Sequence, residues 1–317
     1  MQTFDYLRPE TLEEALTLLK EYGKKAFLTA GGTDVFVMIK KKTIHPEVLI
    51  SLQGIPGLGE INGDGPVRIG ARVTHRTIEK SAVIRRHFQA LADAVDALGT
   101  VQVRNMGTLG GNICNAAPSA DTATPLLVLG AQVKIVSLHG ERWVSVEEFF
   151  RGPGETVLQE GEMVTELIIP RPLPHTGSAY SKHTRRLALD LPMVGVSVLL
   201  SFDRHPALVS EVDPNGFSAS FRLDQLERDG IICRDVRIAL SVVAPTPIRT
   251  FNAERLLRGQ RMTARRLDEV AEAASNEAQP RDSFRGEAWY RKEMIRVLVK
   301  RTALKCIERI LHTEKDG

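Results

Sequence analysis

The sequence predicts an α+β chain built from two successive parts, residues 1–175 and 176–317. Three observations carry this expectation. Helical and strand patterns alternate through the first hundred residues and meet at glycine-rich turns. Three strand-like segments then follow one another between 131 and 170. After Pro170, Pro172, Pro174 and Gly177, which mark a boundary, come two long apolar strands and a helical C-terminus. A chain of 317 residues is long enough for two packed units.

Taken in order, TLEEALTLLKEY at 11–22 puts Leu12, Ala15, Leu18 and Leu19 on one helical stripe, and Thr11 with Glu14 fits a capping box. KAFLTA at 25–30 reads as a strand that runs straight into Gly31-Gly32-Thr33-Asp34, and DVFVMIKK as a helix leaving that turn. Such a succession turns backbone N–H groups toward an anion. Strands at 47–52 and 67–71 precede a helical region from Thr74 to about 98. The next stretch, VQVRNMGTLGGNICNAAPSAD at 101–121, is rich in Gly and Asn and has few residues suited to a regular element; so polar and small a segment inside a packed domain wraps something. TATPLLVLG at 122–130 resumes a helix, and AQVKIVS, ERWVSVEEFF and EMVTELIIP read as strands, as do MVGVSVLLSF at 193–202 and VRIALSVVA at 236–244. The polar stretch 203–231 is long for a hairpin and predicts an exposed excursion. Helices starting near Thr263 and covering 284–312 close the chain, and the basic residues of 281–315 read as a solvated helix face.

Composition narrows the function. With 42 basic and 39 acidic residues the net charge is +3, too balanced for a nucleic-acid partner. No apolar run approaches the ~20 residues that span a bilayer, and MQTFDYLRPE lacks a signal-peptide pattern, so a soluble cytoplasmic protein is expected. Cys114, Cys233 and Cys306 form no C-x-x-C and cannot alone ligate an iron–sulfur cluster or structural zinc. Neither H-E-x-x-H nor G-x-S-x-G occurs; His75, His183 and His205 lack partners at ligand spacing, and Asp213-Pro-Asn-Gly reads as a turn. No metal ligand and no catalytic side chain is therefore expected here.

The two glycine loops carry the chemistry. Neither is a P-loop or a G-x-G-x-x-G fingerprint. Glycine lets a phosphate approach the backbone, and two such loops on one pyrophosphate would hold a dinucleotide without a Rossmann crossover. Asn112 and Asn115 add amide donors and acceptors, and Asp121 an acceptor. The residues alone leave a second reading open, tight turns with asparagine in left-handed conformations. Cys114 reads as a small buried filler, with a reactive thiol as the alternative.

AGGTD at 30–34, RNMGTLGGNICNAAPSAD at 104–121, GEMVTELIIP at 161–170, SKHTRRLALD at 181–190, VVAPTPIR at 242–249 and AWYRKEMIRVLVKRTAL at 288–304 together resemble the FAD-binding (medium) subunit of the xanthine dehydrogenase and carbon monoxide dehydrogenase group of molybdenum hydroxylases. The resemblance spans nearly the whole chain. It implies FAD as cofactor, held by a two-part N-terminal α/β domain of the vanillyl-alcohol-oxidase type, followed by a three-stranded sheet with helices. It implies that Leu28, Thr29, Ala30, Gly31, Gly32, Thr33, Asp34 and Val35 form the first FAD loop, with amides on the pyrophosphate. Thr108, Gly110, Gly111 and Asn112 match the second loop, at the phosphates and ribityl chain. Asn115 and Asp121 match ribityl and flavin contacts, Val164 an apolar neighbour of the isoalloxazine ring, and Lys182 a cation on its pyrimidine side, where it would stabilise the anionic reduced flavin. The implied partners are a molybdopterin-containing large subunit, a small subunit with 2Fe–2S clusters, and an external electron acceptor (NAD, quinone or another). The extra 4Fe–4S cluster that some relatives bind needs four cysteines and is excluded by three. Two alternatives stand beside this reading: a self-contained FAD oxidase or dehydrogenase, for which no acid/base pair is evident, and a cofactor-free assembly subunit, which would have no use for both glycine loops.

Overall fold

The computed structural model describes residues 3–63, 65–186, 190–206 and 219–312. Its first layer contains β1 (Asp5–Leu7), α1 (Leu12–Tyr22), β2 (Ala26–Thr29), α2 (Val35–Lys40) and β3 (Val48–Ser51), the strands running parallel in the order β1-β3-β2. Helix α1 starts where the sequence puts it: Thr11 Oγ1 accepts from the N–H of Glu14. The Glu14 carboxylate, however, accepts from the N–H of Glu10 instead of Thr11, closing the cap one residue early. Ala15, Leu16 and Leu19 then bury the helix against Val48 and Ile50.

The second sheet is antiparallel, with β4 (Ile61–Asn62), β5 (Val67–Gly70), β6 (Gln132–Ser137), β7 (Gly140–Ser145) and β10 (Met163–Ile169) in the order β4-β5-β10-β6-β7. A hairpin of β8 (Phe150–Gly152) and β9 (Glu155–Thr156) stands apart. Six helices fill the interval between β5 and β6: α3 (His75–Lys80), α4 (Ala82–His87), α5 (Gln89–Asp96), α6 (Val101–Met106), α7 (Leu109–Cys114) and α8 (Ala123–Val128). The expectation that few residues of 101–121 suit a regular element is thereby corrected, since two short helices occupy much of it. Thr100 and Thr108 each cap a short helix, their hydroxyls accepting from Val103 N–H and Gly111 N–H. ERWVSVEEFF is likewise part strand and part helix, turning at Ser145 into α9 (Val146–Phe149).

Beyond residue 175 a third sheet begins, built on β11 (Thr176–His183), β12 (Val194–Phe202) and β13 (Ile232–Ser241). These are the three long strands of the sheet; two-residue strands β14 (Ile248–Arg249) and β15 (Gln260–Arg261) both pair with β13. Strand β12 is buried along its whole length because both its faces are covered. Val194, Val196, Val198, Leu200 and Phe202 face α12 (Ala264–Glu277) and α13 (Ala288–His312), while Leu199 joins the core of the N-terminal part and Ser197 bonds Thr124 of α8 at 3.0 Å. The helix α11 (Phe251–Leu257) packs on β13 and α12.

Two expectations about this half need correction. The stretch 203–231 includes a helix, α10 (Ala219–Arg228), whose Leu223 and Leu226 are buried in the C-terminal core, so that portion is docked and not an exposed excursion. Residues 207–218, with Asp213-Pro-Asn-Gly, lie outside the described residues. The basic residues of α13 are also largely engaged. Arg291, 2% exposed, donates to the carbonyls of Met193 and Val242. Arg296 pairs with Glu272 and Lys300 with Asp268. Among the described residues no helix is long and apolar enough to cross a membrane.

One carboxylate ties the halves together. Asp93 on α5 accepts both arms of the Arg309 guanidinium at 2.7 and 2.8 Å, the Lys305 ammonium at 3.0 Å and the N–H of Tyr180 at 3.0 Å. A two-armed Arg–carboxylate pair fixes geometry as well as charge. Removing the carboxylate strands two cations against β11, so Asp93→Ala is expected to lower stability by about 3 kcal/mol. An unchanged urea midpoint would show that the halves are held by apolar packing alone.

Candidate functional site

A cleft of about 480 Å³ opens between the first layer and the helices that follow β5. Every residue from Leu28 to Val35 lines it, as the sequence expects. Strand β2 ends at Thr29 and the chain turns through two glycines of different kinds. Gly31 could not carry a side chain, since a Cβ there would stand 1.8 Å from the Met106 carbonyl oxygen; the first loop touches the end of α6 at this point. Gly32 adopts φ +74°, where other residues are strained. Among the described residues, none of the consecutive N–H groups from Gly31 to Val35 donates within the chain. Backbone donors are rarely left bare unless something outside the chain takes them, and here they border a cleft at the start of α2. Partial burial against the cleft raises the Asp34 carboxyl above its ordinary value, although the residue as a whole stays exposed.

The second loop contributes differently. Thr108, Gly111, Asn112, Asn115 and Asp121 line the cleft. Gly110 does not: a Cβ there would lie 2.7 Å from Ala71, and its N–H donates to the Ala71 carbonyl at 3.0 Å. It is a packing glycine that lets α7 rest on the end of β5. At Gly111 a Cβ would meet only the Thr108 hydroxyl, at 2.9 Å, and otherwise open space. The N–H groups of Leu109, Gly110 and Gly111 are all taken, by Val73, Ala71 and Thr108. The second loop therefore offers the cleft side chains and a bare glycine wall. Asn112 is held in place by its Oδ1, which accepts from Thr122 Oγ1 at 2.6 Å.

Asp121 is 5% exposed and firmly oriented. Tyr180 donates its hydroxyl to Oδ1 at 2.6 Å, and Lys182 Nζ lies 3.2 Å from Oδ2. Burial pushes the Asp121 carboxyl up, against the opposing pull of Lys182 and Tyr180; burial first, and then the Asp121 charge, push the Tyr180 phenol well up. Lys182 is not itself a lining residue and reaches the cleft through Asp121. Val164 is also outside the lining, buried in the core at a bulge of β10.

Sequence reasoning overlooked Tyr180, although it stands two residues before Lys182 and so shares its face of β11. It also overlooked Leu98, Gly99, Val103, Asp190 and Leu191 as parts of the wall. His75, expected as a core or surface histidine and not a metal ligand, is a buried one that also lines the cleft. Cys114 lines it too, and burial pushes its thiol up to about 12, which suits a filler and not a nucleophile. His183 Nε2 sits 3.1 Å from the Tyr290 hydroxyl, and the His205 ring lies between the carbonyls of Pro206 and Ile310. Among the described residues no group of side chains could hold a metal ion. Bare amides beside side-chain-free glycines, followed by amide side chains and a carboxylate with its own cation, fit a pyrophosphate-bearing dinucleotide.

The proteins that this chain resembles are described as FAD-binding or dehydrogenase subunits. Residues 2–172 match the family described as the FAD binding domain in molybdopterin dehydrogenase, and residues 215–306 match the CO dehydrogenase flavoprotein C-terminal domain. The chain is 32% identical over 302 residues to the putative xanthine dehydrogenase FAD-binding subunit of Escherichia coli (strain K12), with 93% of each chain covered. It is 30% identical over 299 residues to the carbon monoxide dehydrogenase medium chain of Hydrogenophaga pseudoflava, covering 94% of this chain and 95% of that one. Among solved structures, a cyanide-inactivated Cu,Mo-CO dehydrogenase matches with a TM-score of 0.84 and 27% identity over 98% of this chain and 99% of its own. The Hydrogenophaga pseudoflava enzyme lacking the Mo-pyranopterin moiety matches with a TM-score of 0.84 and 30% identity, over 96% and 98%.

Proposed function

Because the chain belongs to the family of FAD-binding subunits of xanthine dehydrogenase and carbon monoxide dehydrogenase, and so is an FAD-binding oxidoreductase component, we propose that it is the electron-transfer subunit of a molybdenum hydroxylase complex. On this reading it assembles with a molybdopterin-containing large subunit and a small subunit carrying 2Fe–2S clusters. FAD, when bound, would supply the redox chemistry that links those clusters to an external acceptor such as NAD or a quinone.

The chain's own residues bind and orient. Residues 1–175 form the FAD-binding unit and 176–317 the C-terminal α+β unit that closes against it. The amides of Gly31 to Val35 hold the pyrophosphate, Gly111 leaves the space it needs, and Asn112 and Asn115 hydrogen-bond along the ribityl chain. Asp121, aimed by Tyr180, accepts from the flavin end, with Lys182 keeping a positive charge beside it. Val164 supports this region from the core. The observation that carries the reading is the row of unbonded amides on residues 31–35, which line the same cleft as the side-chain-free Gly111. The titratable residues lining the cleft, Asp34, His75, Asp121 and Asp190, make no hydrogen bond with one another; the hydrogen-bonded partners of Asp121 are Tyr180 and Lys182, outside the lining.

Purification of the tagged chain from its native cells tests the proposal. Two further chains should accompany it, one releasing molybdopterin and one showing 2Fe–2S absorption. A solitary yellow protein that oxidises a substrate unaided would contradict it.

A further inference from the structure

We propose that His75 is a further cofactor-binding residue, its Nε2–H donating to a phosphate oxygen of the dinucleotide held by the Gly31–Val35 loop. The inference rests on the FAD reading above and adds a residue to that site. His75 opens α3 directly behind the second loop, and its own N–H donates to the Gly107 carbonyl at 2.9 Å. Its Cδ2 lies 3.2 Å from where a Gly107 Cβ would stand, and that same point is 3.4 Å from Thr33 Oγ1. The imidazole thus sits at the junction of the two loops, beside the unbonded amides, and borders the cleft.

The ring is 2% exposed, yet it makes no hydrogen bond within the described chain. Nδ1 is enclosed without a partner; Nε2 is not enclosed, and the opening that His75 borders is the cleft. A buried N–H left bare is rarer than a bare acceptor, which assigns the proton to Nε2 and the lone pair to Nδ1. Burial, with Arg104 adding to it, pushes the imidazole down to about 4, so the ring is a neutral donor at physiological pH. A neutral side chain with one N–H aimed into an amide-lined cleft matches a phosphate oxygen, which accepts only. An apolar side chain would fill the same volume without leaving an orphaned nitrogen.

The test uses the full chain freed of flavin and titrated separately with FAD, ADP and riboflavin. Wild type is compared with His75→Gln, His75→Asn and His75→Phe. Glutamine carries an amide nitrogen near the Nε2 position and should bind FAD within about threefold of wild type. Asparagine and phenylalanine should bind FAD and ADP roughly 10- to 100-fold more weakly, with riboflavin unaffected. Wild-type FAD affinity in His75→Phe, or equal losses in the Gln and Asn variants, would overturn the inference. If His75→Phe fails to fold, the His75 Nε2 nitrogen resonance of wild type decides: it should move on addition of ADP, and an unmoved resonance counts against the contact. Wild type that binds no FAD at all would overturn the proposed function first, and this inference with it.

Discussion

Replacing Gly111 by valine is expected to weaken FAD binding at least about a hundredfold, or roughly 3 kcal/mol, while the chain stays folded. The two parts of that expectation have separate causes. The Gly111 backbone lies in α7 with no left-handed φ, so a side chain can be built there. Its only neighbour is the capping hydroxyl of Thr108, whose displacement costs about 1 kcal/mol and a few degrees of melting temperature. The rest of the valine stands in the cleft, where the cofactor's phosphates are proposed to lie. Gly110→Val is the matched control with the opposite outcome. Its side chain would press into Ala71, so stability should fall by about 1–3 kcal/mol or more. Stoichiometric flavin in folded Gly111→Val would mean that this loop is not the cofactor's wall.

Asp121→Ala is expected to lower stability by about 3–5 kcal/mol, because it leaves the Lys182 ammonium and the Tyr180 hydroxyl without their shared acceptor in a buried place. Asp121 is bound into its surroundings from both sides, by the Tyr180 hydroxyl and the Lys182 ammonium. Asp121→Asn separates the contributions, since an amide oxygen still accepts from Tyr180. Urea denaturation of both variants, alone and combined with Lys182→Met, isolates the ion pair as a coupling energy. The pH dependence has a defined sign. Burial raises the native Asp121 carboxyl above its unfolded value, so the native state holds that proton more tightly. Its contribution to stability therefore declines as pH rises from the ordinary carboxylate range through the raised one. Asp121→Asn should remove that slope, and an identical slope in the variant would show that the carboxyl titrates normally.

How much of this was legible depended on the kind of interaction. Strand β12 announced itself because an unbroken apolar run belongs in a strand covered on both faces. The first glycine loop was legible as strand, Gly-Gly turn and helix, but those residues alone left an ordinary tight turn open beside an anion site. Strand β11 escaped notice: TGSAYSKH is small and polar, and it is a strand because α5 and α13 cover it and Asp93 grips its backbone. The short helices α6 and α7 hide in a Gly- and Asn-rich stretch because their starts depend on two threonine caps and their persistence on tertiary contact. Sequence shows that Gly31, Gly110 and Gly111 are glycines, but not which of them meets a carbonyl, a methyl or an open cleft. His75 and Tyr180 matter through contacts across 32 and 59 residues, with Gly107 and Asp121, that no local pattern encodes. The α13 cations looked solvated for the same reason, since Asp93 and Glu272 lie on other elements.

The most direct test of the central claim, that the two glycine loops enclose FAD, is the absorbance spectrum of the purified chain with its bound small molecule released and identified. The account predicts flavin bands and about one FAD per chain, lost in Gly111→Val and retained in a folded surface variant. A colourless wild-type chain that takes up no FAD on soaking would contradict it and leave a scaffold of this fold without its cofactor.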